Sequence, residues 1–175
     1  MVGLGRVGGS LVSTLLAAGL APAWGADPDP GRRERVGASE LPLFSDWIEA
    51  WRRDPDVDLL FFCTPDPWRP QAPAGLFTTA PACLHTGGMH RPAEVLAGLG
   101  LPPERLGIMH PVRSVPEPGI DLRDGWFSFT GGAPLREALE PLVALLRLRL
   151  AVVGEADRMA FHAACALAAN GSQVL

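Results

Sequence analysis

A glycine-rich turn constrains this chain before anything else does. Gly3-Leu4-Gly5-Arg6-Val7-Gly8 is followed by Gly9-Ser10 and then by Leu11, Val12, Leu15 and Leu16, which recur at helical spacing up to a stop at Gly19. A loop with glycine at its first, third and sixth positions that opens a helix leaves backbone N–H groups free to bind a pyrophosphate. The first glycine permits the tight turn, the second lets the phosphate approach, and the third lets the helix lie close on a sheet. Asp27 follows at the spacing of roughly 20 residues at which an acid meets the ribose of a dinucleotide. Such a turn should follow a central strand of about five residues. Only Met1 and Val2 precede Gly3, so the first strand is expected to be truncated.

The rest of the chain alternates short apolar runs with helical patterns. Strands are expected within Ala21–Ala26, Leu41–Phe44, Asp58–Cys63, Ala82–His85, Leu106–His110, Trp126–Phe129 and Leu150–Val153. Asp58-Leu59-Leu60-Phe61-Phe62-Cys63 is apolar without a break after its first residue, as in a strand buried on both faces of a parallel sheet. Ser45 and Asp46 read as caps for a helix through Trp51, and Pro134 opens a longer helix disturbed at Pro141. Asp157 reads as the cap of a last helix from Arg158 to Ala169, and the charged stretch from Pro28 to Arg35 reads as a loop. Together these predict an α/β domain with a mostly parallel sheet flanked by helices. In such a domain ligands bind at the carboxyl ends of the strands.

Composition removes several chemistries. All 15 basic residues are Arg and Tyr is absent. A phosphate loop of the Walker type, a Schiff-base lysine and a Tyr/Lys proton-transfer pair are therefore excluded. A net charge of −4 favours neither nucleic acid nor an anionic membrane. No apolar run reaches the roughly 18 residues of a membrane span. Cys63, Cys83 and Cys165 are sparse and distant, which suits a reducing cytosol, so a cytoplasmic location is expected. Four histidines without zinc spacing give no metal site. Cys63, inside an apolar run, reads as a buried thiol.

Two histidines end predicted strands: His85 before Thr86-Gly87-Gly88, and His110 before Pro111. If both strands are parallel, both imidazoles share the rim of the glycine loop, where imidazole suits proton transfer at neutral pH. A loop histidine bonded to backbone is the competing account of each. Thr64-Pro65-Asp66-Pro67 stops the most apolar strand, and Pro-Asp-Pro also suffices for a simple turn. His162, Ala166 and Asn170 recur at four-residue steps on an Ala-rich helix. Small residues there equally fit a helix seam.

Five stretches, in order, resemble the bacterial Rossmann-like and DUF2520 domain-containing proteins, relatives of pyrroline-5-carboxylate reductases within the 6-phosphogluconate dehydrogenase-like group. They are Gly3 to Leu11, Cys63-Thr64-Pro65-Asp66, His85-Thr86-Gly87-Gly88, Met109-His110-Pro111-Val112 and Phe161 to Asn170. The resemblance implies a Rossmann-like domain over residues 1–154. Residues 155–175 would then be the first helix of a truncated helical domain that serves dimerisation and substrate binding. It implies NAD or NADP as cofactor, held by Gly3, Leu4, Gly5, Arg6, Val7, Gly8, Asp27 and Arg32, with Thr64, Pro65 and Asp66 beside the nicotinamide ribose. It implies substrate-facing roles for His162 and Asn170, joining His85 and His110 as catalytic candidates. The family has Ser where this chain has Gly87, so a hydroxyl donor is missing. The activity expected is hydride transfer to a C=N or C=O bond of a small-molecule substrate. The alternative is a non-catalytic dinucleotide-binding sensor or interaction module. Absence of Lys argues against the hydroxyisobutyrate and ketopantoate style of mechanism. Asp27 would repel a 2′-phosphate that Arg32 and Arg33 would hold, which leaves a weak expected preference for NAD. A homodimer through the C-terminal helix is expected, because that helix is apolar on nearly every face.

Overall fold

A computed structural model describes residues 1–37 and 41–171, with residues 169–171 described by their backbone alone. Helix α1 (Arg6–Ala17) leaves the glycine turn, and β1 (Gly25–Ala26) follows it. Helix α2 (Pro30–Val36) leads to β2 (Leu43–Phe44) and α3 (Trp47–Arg53). Strands β3 (Leu59–Phe62) and β4 (Ala82–His85) come next, then α4 (Pro92–Val95) and β5 (Leu106–Pro111). Strand β6 (Trp126–Thr130), α5 (Ala133–Leu145), β7 (Arg149–Val152) and α6 (Arg158–Gly171) complete the chain.

The first strand is reduced to a single residue. Val2 bridges Ala26 on one side and Phe62 on the other, both in parallel. It joins the β1-β2 pair to the five-stranded sheet β3-β4-β5-β6-β7, in which only the β5–β6 pairing is antiparallel. Four backbone hydrogen bonds make this junction: Val2 N to Phe61 O, Cys63 N to Val2 O, Gly3 N to Ala26 O and Ala26 N to Met1 O, all 2.7 to 2.9 Å. The glycine turn thus sits at the carboxyl end of a strand, as its chemistry requires.

Both faces of the sheet are covered. Phe61, Leu84 and Met109 meet α1 and α5 through Leu11, Val12, Leu135 and Leu139. Leu60, Phe62, Cys83 and Ile108 meet α3 and α4 through Trp47, Trp51 and Val95. Alternation within each strand therefore fills two cores, which explains the unbroken apolar runs. Each such large side chain contributes about 1.5–3 kcal/mol. No helix among the described residues is long and apolar enough to cross a membrane.

One expectation is corrected. The stretch from Pro28 to Arg35 is not a charged loop, because residues 30–36 form α2. Asp29 caps it, accepting from Gly31 N at 2.9 Å, and Pro30 supplies a pre-set φ at the first helical position. Two sequence signals for a helix start were present and the charge run obscured them. Helix α5 carries Pro141 without ending there. Met159 and Leu167 of α6 are 70% and 74% exposed.

Candidate functional site

The three glycines of the turn occupy three different steric situations. Gly3 has φ +83°, and a Cβ there would lie 2.7 Å from Cys63 O. A Cβ on Gly8 would fall on Gly3 O, with Cys63 Cβ at 3.1 Å, so the helix lies against the strand ends with no room for a side chain. Gly5 differs. A Cβ there would meet only Arg32 Nη1 at 4.0 Å, because Gly5 faces open space. That space is a cavity of about 510 Å³, lined by Gly5, Arg6, Val7, Arg32, Arg35, Cys63, Thr64, Pro65, Asp66, Thr86, Gly87, Gly88, His110, Pro118 and His162. A second cavity of about 260 Å³ adjoins it at Arg32, Cys63, Thr64 and Pro65 and continues to Asp27, Asp46 and Trp68. Loop, strand ends and last helix therefore border one continuous depression of the size that holds a cofactor. The open cradle at Gly5 fits a phosphate group, and the residues present fit a dinucleotide.

Asp27 organises the turn from within. It is 2% exposed, its Oδ2 accepts from Leu4 N at 2.7 Å, and its Oδ1 accepts from Asp29 N at 2.9 Å. Arg32 Nη1 lies 3.5 Å from Oδ2, and Arg33 donates to the Asp27 carbonyl. Asp27 lines the smaller cavity with both oxygens already engaged. Arg32 is the more open of the two and borders both cavities. Trp68, inclined 31° to Phe62 at 6.3 Å, offers an apolar wall beside them.

The histidines separate. His85 is fully buried; its Nδ1 accepts from Gly87 N at 2.9 Å, which leaves the proton on Nε2 facing Thr64 Oγ1 at 3.3 Å. Burial pushes its pKa down to about 4, so it is neutral across the ordinary pH range. It does not line either cavity. His110 does. Its Nδ1 donates to Thr86 O at 2.7 Å, so Nε2 is the free acceptor, and burial holds its pKa below the usual imidazole value. His162 of α6 stands edge-on to it, ring centroids 5.1 Å apart at 68°. His162 Nδ1 is buried and has no hydrogen-bond partner among the described residues. A buried polar nitrogen left unpaired in this way costs about 1–3 kcal/mol until a ligand pairs with it. The side chain of Asn170 lies outside the described residues.

Gly87 and Gly88 make this assembly fit. A Cβ on Gly87 would fall on Asp66 Oδ1, and one on Gly88 would fall on His162 Nδ1. A Ser at position 87 would require the Asp66 carboxylate and the His85 ring to shift. Arg158, at the head of α6, clamps both glycines. It is 2% exposed and donates from Nη2 to Gly87 O at 3.1 Å and Gly88 O at 2.9 Å, from Nη1 to Thr130 Oγ1 at 2.7 Å, and from Nε to His90 O at 3.0 Å. One helical turn later comes His162, so this clamp sets its place. Sequence reading missed Arg158; its signal was a lone charge heading an otherwise uncharged helix. Arg35 was missed too, although it shares a face of α2 with Arg32.

No family model matches the sequence, and no curated protein matches it. Solved structures do match in fold. A Bacteroides fragilis protein described as a candidate NADP oxidoreductase superposes with a TM-score of 0.75 at 16% identity, over 98% of this chain and 66% of its own. Prephenate dehydrogenase of Aquifex aeolicus, solved with hydroxyphenyl propionate and NAD+, gives 0.67 at 15% identity, over 88% of this chain and 58% of its own. An imine reductase variant of Myxococcus stipitatus, solved with NAD+, gives 0.66 at 17% identity, over 99% of this chain and 59% of its own. The chain thus spans about three fifths to two thirds of the length of these structures. At such identities the likeness is one of fold, and this chain has the Rossmann-like α/β architecture that they share.

Proposed function

We propose that this chain is the cofactor-binding part of an NAD(P)-dependent oxidoreductase that directs hydride to a C=N or C=O bond of a small substrate. The observation that carries the reading is the single cavity running from Gly5 to His110 and His162. Backbone N–H groups at the start of α1 would hold the pyrophosphate, aided by Arg6. Arg32, Asp27 and Trp68 would border the adenosine. Thr64 and Pro65 would border the nicotinamide ribose. When bound, a reduced nicotinamide supplies the hydride. His110 Nε2 and His162 Nδ1 would then hold the reacting group by accepting its proton-bearing atoms, or pass a proton to it. His85 supports the Thr86-Gly87 turn without touching the ligand. The five stretches shared with the DUF2520-type family all border this depression or its walls, which supports that finer kinship.

Calorimetry with NADPH tests the reading on Gly5→Val. The substituted side chain enters open space, so the melting temperature should stay within about 3 °C while affinity falls at least tenfold, about 1.4 kcal/mol. An unchanged affinity would overturn the reading.

A further inference from the structure

The five-stranded sheet ends on an open edge. Its β3 side continues through Val2 into β1 and β2, whereas nothing among the described residues pairs with the outer side of β7. Along β7, Arg149 N donates to Gly125 O and Val153 N to Phe129 O, both toward β6. Bonds alternate along such a ladder, so Ala151 also faces β6, while the N–H and C=O groups of Leu150 and Val152 point outward. Edge strands are ordinarily blunted by a charge, a proline or a bulge. The one charge on β7 is turned inward: the Arg149 guanidinium lies 5.7 Å from the ring of Trp126, its partner residue on β6. What remains at the edge is Leu150-Ala151-Val152, with Val152 59% exposed and the other two half-buried.

We propose that β7 is a docking edge for a second copy of this chain, paired antiparallel about a two-fold axis through Ala151. The backbone fits that occupant. The outward groups lie two residues apart, so Leu150 of each copy meets Val152 of the other in a hydrogen-bonded pair, and four N–H···O bonds form. A slip of two residues would call on Leu148, whose N–H is already bonded to Val143 O, or on Gly154 beyond the strand. Ala151 then faces its own copy in the non-hydrogen-bonded position, where Cα atoms approach to about 4.5 Å and a small side chain suits. The ends match by charge. Exposed Arg149 opens the strand and exposed Glu155 and Asp157 follow it, so the antiparallel arrangement sets cation toward anion at both ends. On one face Leu150 and Val152 of the two copies make a continuous apolar row. The interface is self-complementary, as a closed two-fold pair requires. No residue of β7 borders the two cavities at the glycine turn, so the pairing is separate from the function proposed above.

Sedimentation of the full chain up to about 100 µM should show a reversible monomer–dimer equilibrium. Val152→Pro should weaken association at least tenfold with the melting temperature held within about 3 °C, because only an outward N–H is lost and an edge strand tolerates Pro there. Leu167→Glu, on the exposed face of α6, should leave association unchanged. Cysteine substitution reads the register. In a Cys165→Ser background, oxidised glutathione should join Ala151→Cys chains into a covalent dimer at least tenfold faster than Leu150→Cys or Val152→Cys, whose own copies lie beyond disulfide reach in this register. Should Val152→Pro lower the melting temperature further, these rates decide. A monomer throughout, a dimer that persists in a folded Val152→Pro or is lost in Leu167→Glu, or crosslinking fastest at the more exposed Val152→Cys overturns the inference.

Discussion

His85 and His110 begin as near equals. They lie on neighbouring parallel strands, and since His85 pairs with Ile108, His110 is two residues further along the same face. That one step separates their fates. At the level of Ile108 the sheet is still covered, so His85 is desolvated and both its nitrogens are committed within the protein. Two residues on, β5 has run past the last pairing with β4, and His110 emerges at the rim with Nε2 open. Imidazole chemistry here is assigned by register, and residue type alone does not reveal it.

The largest expected effect breaks the pair apart by function. His110→Ala should cost 100-fold or more, up to about 10⁴-fold, in NADPH-dependent reduction of 1-pyrroline, with stability changed by about 1 kcal/mol or less. His85→Ala should instead lose about 2–4 kcal/mol of stability, read by urea denaturation, because it removes a buried side chain with two partners. Equal effects of the two substitutions on both readouts would erase the distinction.

A second measurement uses protons. The unfolded chain takes up a proton on His85 near pH 6.5, whereas the folded chain resists until about pH 4. Between those values the unfolded state binds more protons, so stability should fall as pH drops through that window, by up to about 3 kcal/mol. His110 adds loss in the same direction. His85→Gln should flatten much of this dependence, and His110→Gln less of it. Denaturation midpoints at pH 7 and pH 4.5 check both.

The smallest effect concerns the opposite end of the depression. Asp27 was expected to favour NAD, yet its oxygens are bonded to backbone and its charge faces Arg32. Arg32→Ala should weaken NADPH relative to NADH by about tenfold or less, and comparison of the two affinities by calorimetry reads it. A ratio unmoved by the substitution would return the choice to Asp27.

What the sequence made legible follows the range of each interaction. The glycine turn, the apolar strands and the Asp46 cap, which accepts from Ile48 N and Glu49 N, are specified within a few residues, and their positions agree with expectation. The place of His110 on the rim of the glycine loop was legible from its strand end, whereas the joining of Asp66 and His162 to them was implied only through resemblance. The burial of His85 and the clamp of Arg158 were not legible, because both depend on which strand runs further and on contacts across 70 residues of chain, as between Arg158 and Gly88. Helix α2 shows the opposite case: its cap was local and plain, and a cluster of arginines drew attention away from it.

Val2 carries one last consequence. With a single residue standing for a strand, the β1-β2-α2 corner meets the main sheet through the four backbone bonds around Met1, Val2 and Gly3, the Leu4 N to Asp27 Oδ2 bond, and packing against α1 and α3. A corner so attached is a natural unit of sub-global opening, cheaper to detach than the five-stranded remainder. Both adjoining cavities span this seam, the smaller from Asp27 to Thr64 and the larger from Arg32 and Arg35 to His162. A molecule lying across both would act as an added fastening. Its affinity would contain the work of keeping the corner docked, and its departure would leave that corner free to breathe.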